Sequence, residues 1–505
     1  MLRKIRIALA AICFVLITML FLDFTGTLHT WLGWLAKIQF LPAVLALNLA
    51  VIVALVLLTL IMGRVYCSVI CPLGVFQDII SWFGGKKKER KLRFSYSPEK
   101  KWLRYGVFVL FVLAIIFGVN AFVALLAPYS AYGRIASNIF APIYQWGNNL
   151  CAYIAQRADS YAFYSKDVWL KSLPIFIISA VTLVALAILA WRNGRTYCNT
   201  ICPVGTTLSF FSRFAAFRPM IDSNKCKNCH ICERKCKAAC INIKEHKIDY
   251  SRCVDCFDCL NNCKFGAMHY RFAYGKKEST PKDAPVQTVK DNVDSSRRAF
   301  LTSSAIIATA LTVGAQEKKL DGGLATIIDK KKPQRKYVLT PFGSKSIKEF
   351  YDHCTACQLC ISVCPNEVLR PSESLEHLMQ PEMTYERGYC RPECTKCSQV
   401  CPAGAILPIS PEEKTAIHIG TAIVDLDLCV ANKDGISCGN CARHCPAGAI
   451  RMLRKNMDDP ESVRIPTVIE DRCIGCGACE NLCPARPYSA IHVEGLQEHR
   501  QDELS

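Results

Sequence analysis

The sequence predicts an all-α membrane unit of four helices, built as a duplicated two-helix repeat, followed by two small α+β domains. Three observations carry this. Four long apolar stretches occupy the first 220 residues. One motif, GRVYCSVICPLG at 63–74 and GRTYCNTICPVG at 194–205, closes the second and fourth of them. Of the 31 cysteines in 505 residues, twenty-four fall into six groups of four beyond residue 225.

The apolar stretches lie near residues 5–22, 41–62, 103–126 and 172–191. Each approaches the roughly 20 residues that a helix needs to cross a hydrocarbon core. Pro42 and Pro174 fall in first turns, where a missing N–H costs little. The first stretch has basic residues ahead of it, as a signal peptide does. No small-residue cleavage site follows it and three more spans do, so it is read as an anchor.

Lys and Arg in the short connections set the orientation. Residues 1–6, 63–102 and 192–218 hold 16 of them, against 5 in 23–40 and 127–171. Both ends of the unit (residues 1–220) then face the cytoplasm of a bacterial inner membrane. The net charge of +19 is thus largely a membrane-orienting charge. No aromatic-and-basic stretch or nucleic-acid motif accompanies it, so no nucleic-acid partner is expected. His29 is the only histidine before residue 226, which excludes a bis-histidine haem b within the spans.

Cysteine at this frequency in a long chain is sorted by spacing. CKNCHICERKC supplies Cys226, Cys229, Cys232 and Cys236; CVDCFDCLNNC supplies Cys253, Cys256, Cys259 and Cys263. Two adjacent C-x2-C-x2-C-x3-C runs are the pattern of a two-cluster bacterial ferredoxin, over residues 221–270. Three thiolates on a tight loop hold three corners of a [4Fe–4S] cube, and the distant cysteine of the other run takes the fourth. One cluster should use Cys226, Cys229, Cys232 and Cys263; the other should use Cys253, Cys256, Cys259 and Cys236. Zinc would favour two separated C-x2-C knuckles instead. CKNCH also matches a haem-attachment pattern, but it sits inside an intact cluster run, so His230 is read as coincidence. Neither run ends in Cys-Pro, a departure that touches loop shape rather than ligation.

A polar linker covers 271–294. SSRRAFL follows, with Arg297 and Arg298, then a mildly apolar Ala305–Ala315. This segment, 295–316, resembles a twin-arginine export signal. That pathway moves folded proteins, which a cluster-bearing domain requires. The alternative is a cytoplasmic linker, and whether the segment is cut stays open. After a second linker, 317–349, a four-cluster ferredoxin-like domain is expected over 350–495. Its runs are Cys354, Cys357, Cys360, Cys364; Cys390, Cys394, Cys397, Cys401; Cys429, Cys438, Cys441, Cys445; and Cys473, Cys476, Cys479, Cys483. All four end in Cys-Pro. Fourth ligands are exchanged either between consecutive runs or first with fourth. Strand-like AIVDLD and TVIED precede the last two. The total is six [4Fe–4S] clusters, a file suited to moving single electrons. No flavin fingerprint or nucleotide loop appears.

The C-x3-C-P pairs, Cys67 with Cys71 and Cys198 with Cys202, stand 131 residues apart. In a helical turn each pair faces one way; alternatively Pro72 and Pro203 open new helices. The two pairs combine into a four-thiolate metal site, or they are structural or form a redox-active disulfide. Cys13, Cys151 and Cys240 are read as ordinary residues, with Cys240 an alternative to Cys236.

Residues 1–270 resemble the NapH-type membrane ferredoxins, and 295–495 the NapG/MauM-type exported ferredoxins. The resemblance implies the electron-transfer component of a quinol dehydrogenase. It would pass electrons from menaquinol or ubiquinol in the lipid to a periplasmic reductase or cytochrome, as in nitrate respiration. Residues 221–294 would then be cytoplasmic and 317–505 periplasmic. The rival readings are a redox-sensing or oxidase-maturation membrane ferredoxin, and a subunit fed by a cytoplasmic ferredoxin.

Overall fold

The computed structural model describes residues 1–23, 26–84, 94–274 and 328–502. The segment with Arg297 and Arg298 lies outside them. Among the described residues fourteen α-helices build the N-terminal bundle. α1 (Leu2–Leu22) is followed by the short α2 (Thr27–Leu32), α3 (Trp34–Lys37) and α4 (Phe40–Leu45), then α5 (Leu49–Met62), α6 (Val65–Val69) and α7 (Pro72–Gly84). The second half runs α8 (Lys101–Ile116), α9 (Asn120–Leu126), α10 (Pro128–Ile135), a π-helical turn Ala136–Phe140, α11 (Ala141–Arg157), α12 (Leu173–Asn193), α13 (Thr196–Thr200) and α14 (Pro203–Ser212).

Among the described residues two helices, α1 and α12, are long and apolar enough to cross a membrane, with mean hydropathy 2.6 and 2.7. The other two expected spans are interrupted. At 41–62 the chain turns left-handed at Leu47 (φ 51), and Asn48 caps α5 by accepting from the Val51 N–H. At 103–126 Gly118 (φ 70) separates α8 from α9. An apolar belt surrounds the bundle nonetheless, with Ile12, Leu57, Leu110 and Val181 exposed on α1, α5, α8 and α12.

The halves interlock. α7 follows the first motif but packs on α12 of the second half, while α14 follows the second motif and packs on α5 of the first. Pro72 and Pro203 open these two helices, the second of the two readings the motif leaves open. The connections at the far end turn inward. All eight residues of α10 are buried, and Tyr132 packs against Phe14, Phe21 and Phe76.

The first α+β domain is a pair of antiparallel two-stranded sheets. β1 (Phe217–Ile221) pairs with β4 (Met268–Phe272), and β2 (Ile241–Asn242) with β3 (Lys247–Ile248). Between them α15 (Ile231–Lys235) packs on α16 (Asp258–Asn262). The second domain repeats this plan. β5 (Leu369–Pro371) pairs with β6 (Pro381–Met383), β7 (Ile417–Val424) with β10 (Ile491–Gln501), and β8 (Ile450–Arg454) with β9 (Arg464–Val468). Residues 328–349, expected as linker, belong to it: Arg335 forms a buried ion pair with Glu480 at 2.6 Å, and Lys330 donates to the carbonyls of Glu480 and Asn481.

The two domains cap opposite ends of the bundle. At the start of α1, Arg3 pairs with Asp258 of the first domain at 2.6 Å. At its end, Gly133, packed beside Phe21, faces the Cys357 carbonyl of the second domain. A 21-residue helix separates these contacts by about 30 Å. Asn138 Nδ2 donates to Gln358 Oε1 (2.7 Å), and Trp169 Nε1 to Glu367 Oε2 (2.6 Å), clamping the second domain in place.

Candidate iron–sulfur sites

The cysteine loops share one curl. In four runs the second and fourth residues after the first cysteine have positive φ: Asn228 and His230, Asp255 and Phe257, Ala356 and Gln358, Gly475 and Gly477. Such alternation turns successive backbone N–H groups toward one concavity, the usual cradle of an anionic cluster. The first domain adopts it without the Cys-Pro ending. His230 faces Glu233 at 2.7 Å.

In the first domain, Cys253, Cys256, Cys259 and Cys236 line one apolar cavity. Cys226, Cys229 and Cys232 gather separately, with Cys229 exposed. Cys240 also lines the first cavity, and its Sγ lies 3.5 Å from that of Cys236. It is therefore a fifth thiol of that site rather than an ordinary small hydrophobe.

In the second domain Cys364 lines one hollow with Cys390, Cys394 and Cys397. Cys401 lies within electrostatic reach of Cys354, Cys357 and Cys360. Likewise Cys445 accompanies Cys473, Cys476 and Cys479, and Cys483 accompanies Cys441 with Cys429 and Cys438. Of the two exchange patterns open from the sequence, this grouping of thiols matches the one between consecutive runs. The Cys390 N–H donates to the Cys476 carbonyl (3.0 Å), joining the two pairs of sites into one file.

Burial pushes Cys256, Cys354 and Cys360 well above the usual thiol range, with the Asp258 carboxylate adding to it at Cys256 and neighbouring thiols at all three. Grouped thiolates in such hollows require a bound cationic centre, and four-cysteine sets of this spacing suit iron–sulfur clusters. Donors stand ready for the sulfurs: Lys414 Nζ is 3.1 Å from Cys390 Sγ, and the Ala449 N–H is 3.2 Å from Cys445 Sγ. Hydrogen bonds of this kind tune a cluster's potential.

The C-x3-C-P cysteines form a further group. Cys67, Cys71, Cys198 and Cys202 are buried free thiols within electrostatic reach of one another. Cys67 and Cys198 sit on the single turns α6 and α13, while Cys71 and Cys202 precede the prolines. Among the described residues no three His, Cys, Asp or Glu side chains close on a single metal ion. Gly63 (φ 71) and Gly194 (φ 66) precede the two motif arginines. A Cβ there would lie 2.1 Å from Asp255 Oδ2 and 2.6 Å from the Lys237 carbonyl, so glycine lets the first domain seat directly on the motifs. Below them Asp78 accepts from Arg195 (2.8 Å) and Arg6 (2.9 Å), with Lys237 3.6 Å away.

Paired cluster loops of this construction define an iron–sulfur electron-transfer protein of the ferredoxin type. Residues 44–91 and 173–220 each match the family model of a 4Fe-4S binding domain, and 353–405 and 436–486 each match a 4Fe-4S dicluster domain. The chain belongs to the family of multi-cluster ferredoxin-type proteins that includes the methylamine utilization protein MauM. It is 31% identical to MauM of Methylobacillus flagellatus over 150 residues, 29% of this chain and 64% of that one. It is 30% identical to MauM of Methylophilus methylotrophus over 162 residues, 31% of this chain and 71% of that one. The ferredoxin-type protein NapF of Escherichia coli is 28% identical over 161 residues, 32% of this chain and 87% of that protein. No solved structure matches.

Proposed function

We propose that this chain is a membrane quinol-dehydrogenase module of the NapH plus NapG/MauM kind. It carries electrons from quinol in the lipid through the second domain to a periplasmic reductase. The exposed apolar belt on α1, α5, α8 and α12 supports a four-span membrane unit, because a water-facing surface rarely keeps so continuous a patch. A bundle capped by a cluster domain at each end supports residues 221–274 and 328–502 lying on opposite sides.

The observation that carries the quinol reading is the lining of an open cleft between the bundle and the second domain, whose enclosed space is about 40 Å³ and widens to solvent at its mouth. Phe21, Leu22 and Leu170 supply an apolar side; Ser137, Lys171 and Cys364 supply a polar one. The Ser137 hydroxyl is buried without a hydrogen-bond partner among the described residues. A ring with two oxygens and an apolar tail matches that lining, and Cys364 belongs to a predicted cluster set. Bound clusters supply one-electron acceptors. Lys171 and Ser137 hold the quinol oxygens, the apolar side excludes water, and the two protons released leave through the mouth of the cavity.

The test is reduction of the protein in nanodiscs by a short-chain menaquinol. Lys171→Ala and Ser137→Ala should each raise KM about tenfold, the scale of one hydrogen bond worth about 1.4 kcal/mol. An unchanged KM in both variants removes the quinol site from this cavity. A second reading, electron entry from a cytoplasmic ferredoxin, is favoured by the exposed Cys229 at the outer face of the first domain.

A further inference from the structure

The four C-x3-C-P thiols lie between the two cluster domains. On one side, Asp255, between Cys253 and Cys256, accepts from the Arg64 N–H at 3.0 Å, and the Arg195 N–H donates to the Lys237 carbonyl at 2.9 Å, next to Cys236. On the other, Tyr197 donates to the Leu126 carbonyl at 2.8 Å, where the chain enters the buried α10. That helix carries Gly133, whose Cα hydrogen faces the Cys357 carbonyl so closely that a Cβ would stand 2.3 Å away. Arg134, also wholly buried, lies within electrostatic reach of both Tyr197 and Cys357.

The surroundings of the thiols call for an anion. Arg64 is 0% exposed, and its guanidinium meets Asn199 Oδ1 (2.9 Å), the Ser251 and Cys198 carbonyls (3.1 Å each) and Cys67 Sγ (3.8 Å). Asp255 lies nearby but is held by the Arg64 backbone N–H, no carboxylate forms a side-chain ion pair with the guanidinium among the described residues, and a buried cation that meets only neutral acceptors and sulfur is costly. Gln77 Nε2 lies 3.4 Å from Cys198 Sγ, and the Gly205 N–H donates to Cys202 Sγ at 3.4 Å. A cation and polar donors aimed at sulfur, around four buried thiols, are what an anionic four-thiolate iron–sulfur centre requires.

We infer that Cys67, Cys71, Cys198 and Cys202 hold a seventh iron–sulfur centre, which relays electrons across the membrane between the Cys253/Cys256/Cys259/Cys236 site and the Cys354/Cys357/Cys360/Cys401 site. Each passage is a one-electron exchange: the donor site is oxidised by one electron, the acceptor site is reduced by one, and no proton moves. The relay is independent of the quinol cavity, since it needs no quinone.

The test uses the full chain, loaded anaerobically, in sealed quinone-free vesicles with ferricyanide trapped inside and dithionite outside. Iron and acid-labile sulfide should exceed what six cubane clusters hold, and the trapped ferricyanide should be reduced at least tenfold faster than in protein-free vesicles. In Cys67→Ser and, separately, Cys202→Ser, the excess iron and the fast reduction should disappear together while the other iron stays bound. Wild-type iron equal to six cubanes overturns the centre. Excess iron with no transmembrane reduction overturns the relay. Excess iron that both variants retain moves it to other residues. Because no quinone is present, failure of the Lys171 test leaves this result standing, and the reverse also holds.

Discussion

The Arg195 guanidinium donates to the Cys67 carbonyl at 2.5 Å, and Arg64 of the other repeat donates to the Cys198 carbonyl at 3.1 Å. Each repeat thus supplies the cation that fixes the other's cysteine turn. Two copies of a twelve-residue motif become one site only because α7 and α14 cross to the opposite half.

This crossing makes Asp78 a keystone. Burial alone would raise its pKa, but Arg195, Lys237 and Arg6 outweigh burial and hold the carboxyl well below the usual range. Asp78→Asn leaves three cations facing one neutral amide and should cost about 3–5 kcal/mol, read as a lowered Tm of the purified protein. Because the folded pKa is depressed, the contribution is complete above the unfolded value near 4 and is lost only as pH falls below it. The variant's deficit should therefore be constant across neutral pH.

His499 gives a pH dependence in a milder range. Burial lowers its pKa from 6.5 to about 4, and its Nε2 lies 3.0 Å from Thr340 Oγ1. The unfolded chain binds a proton there between those values and the folded domain does not. Stability from this residue is full above pH 6.5 and falls as pH drops toward 4. Thermal unfolding between pH 7 and 5 should show a shallower decline in His499→Gln than in the wild type.

The consecutive sharing of fourth ligands predicts which cysteine losses coincide. Cys364→Ala and Cys397→Ala should each remove the same cluster, so the double variant loses one cubane's worth of iron. Cys364→Ala with Cys360→Ala should lose two. Iron analysis of the four variants decides it, and a double Cys364/Cys397 variant lacking two clusters contradicts the pairing.

Gly133→Ala tests the docking of the second domain. A methyl group there must displace the Cys357 backbone or the Phe21 ring, which lies 3.0 Å from the same point. Overpacking of this kind costs about 1–3 kcal/mol. The expected result is a lower Tm and a slower reduction of the second domain's clusters by quinol, measured against the unchanged iron content.

The sequence made the cluster chemistry legible because ligand spacing is local. A C-x2-C-x2-C-x3-C run closes on one loop, and Pro72 and Pro203 mark helix starts wherever they occur. Non-local pairing left no such mark. Nothing in the order of the runs says that Cys364 joins Cys390 rather than a cysteine of the fourth run. Cys240 lies just outside the run spacing, so only the fold brings it against Cys236. Asn48 and Gly118 are single breaks in long apolar runs, and composition averages over them. Arg64 and Arg195 were visible as motif residues, but their reach into the opposite repeat depends on the crossing of α7 and α14.

The account stands on electrons passing from quinol into the cluster file, and freeze-quenched EPR of the full chain in nanodiscs measures that step. With menaquinol as the only reductant, signals of reduced iron–sulfur clusters should appear within the mixing series and diminish in Lys171→Ala. Signals that appear with dithionite but never with menaquinol would contradict it.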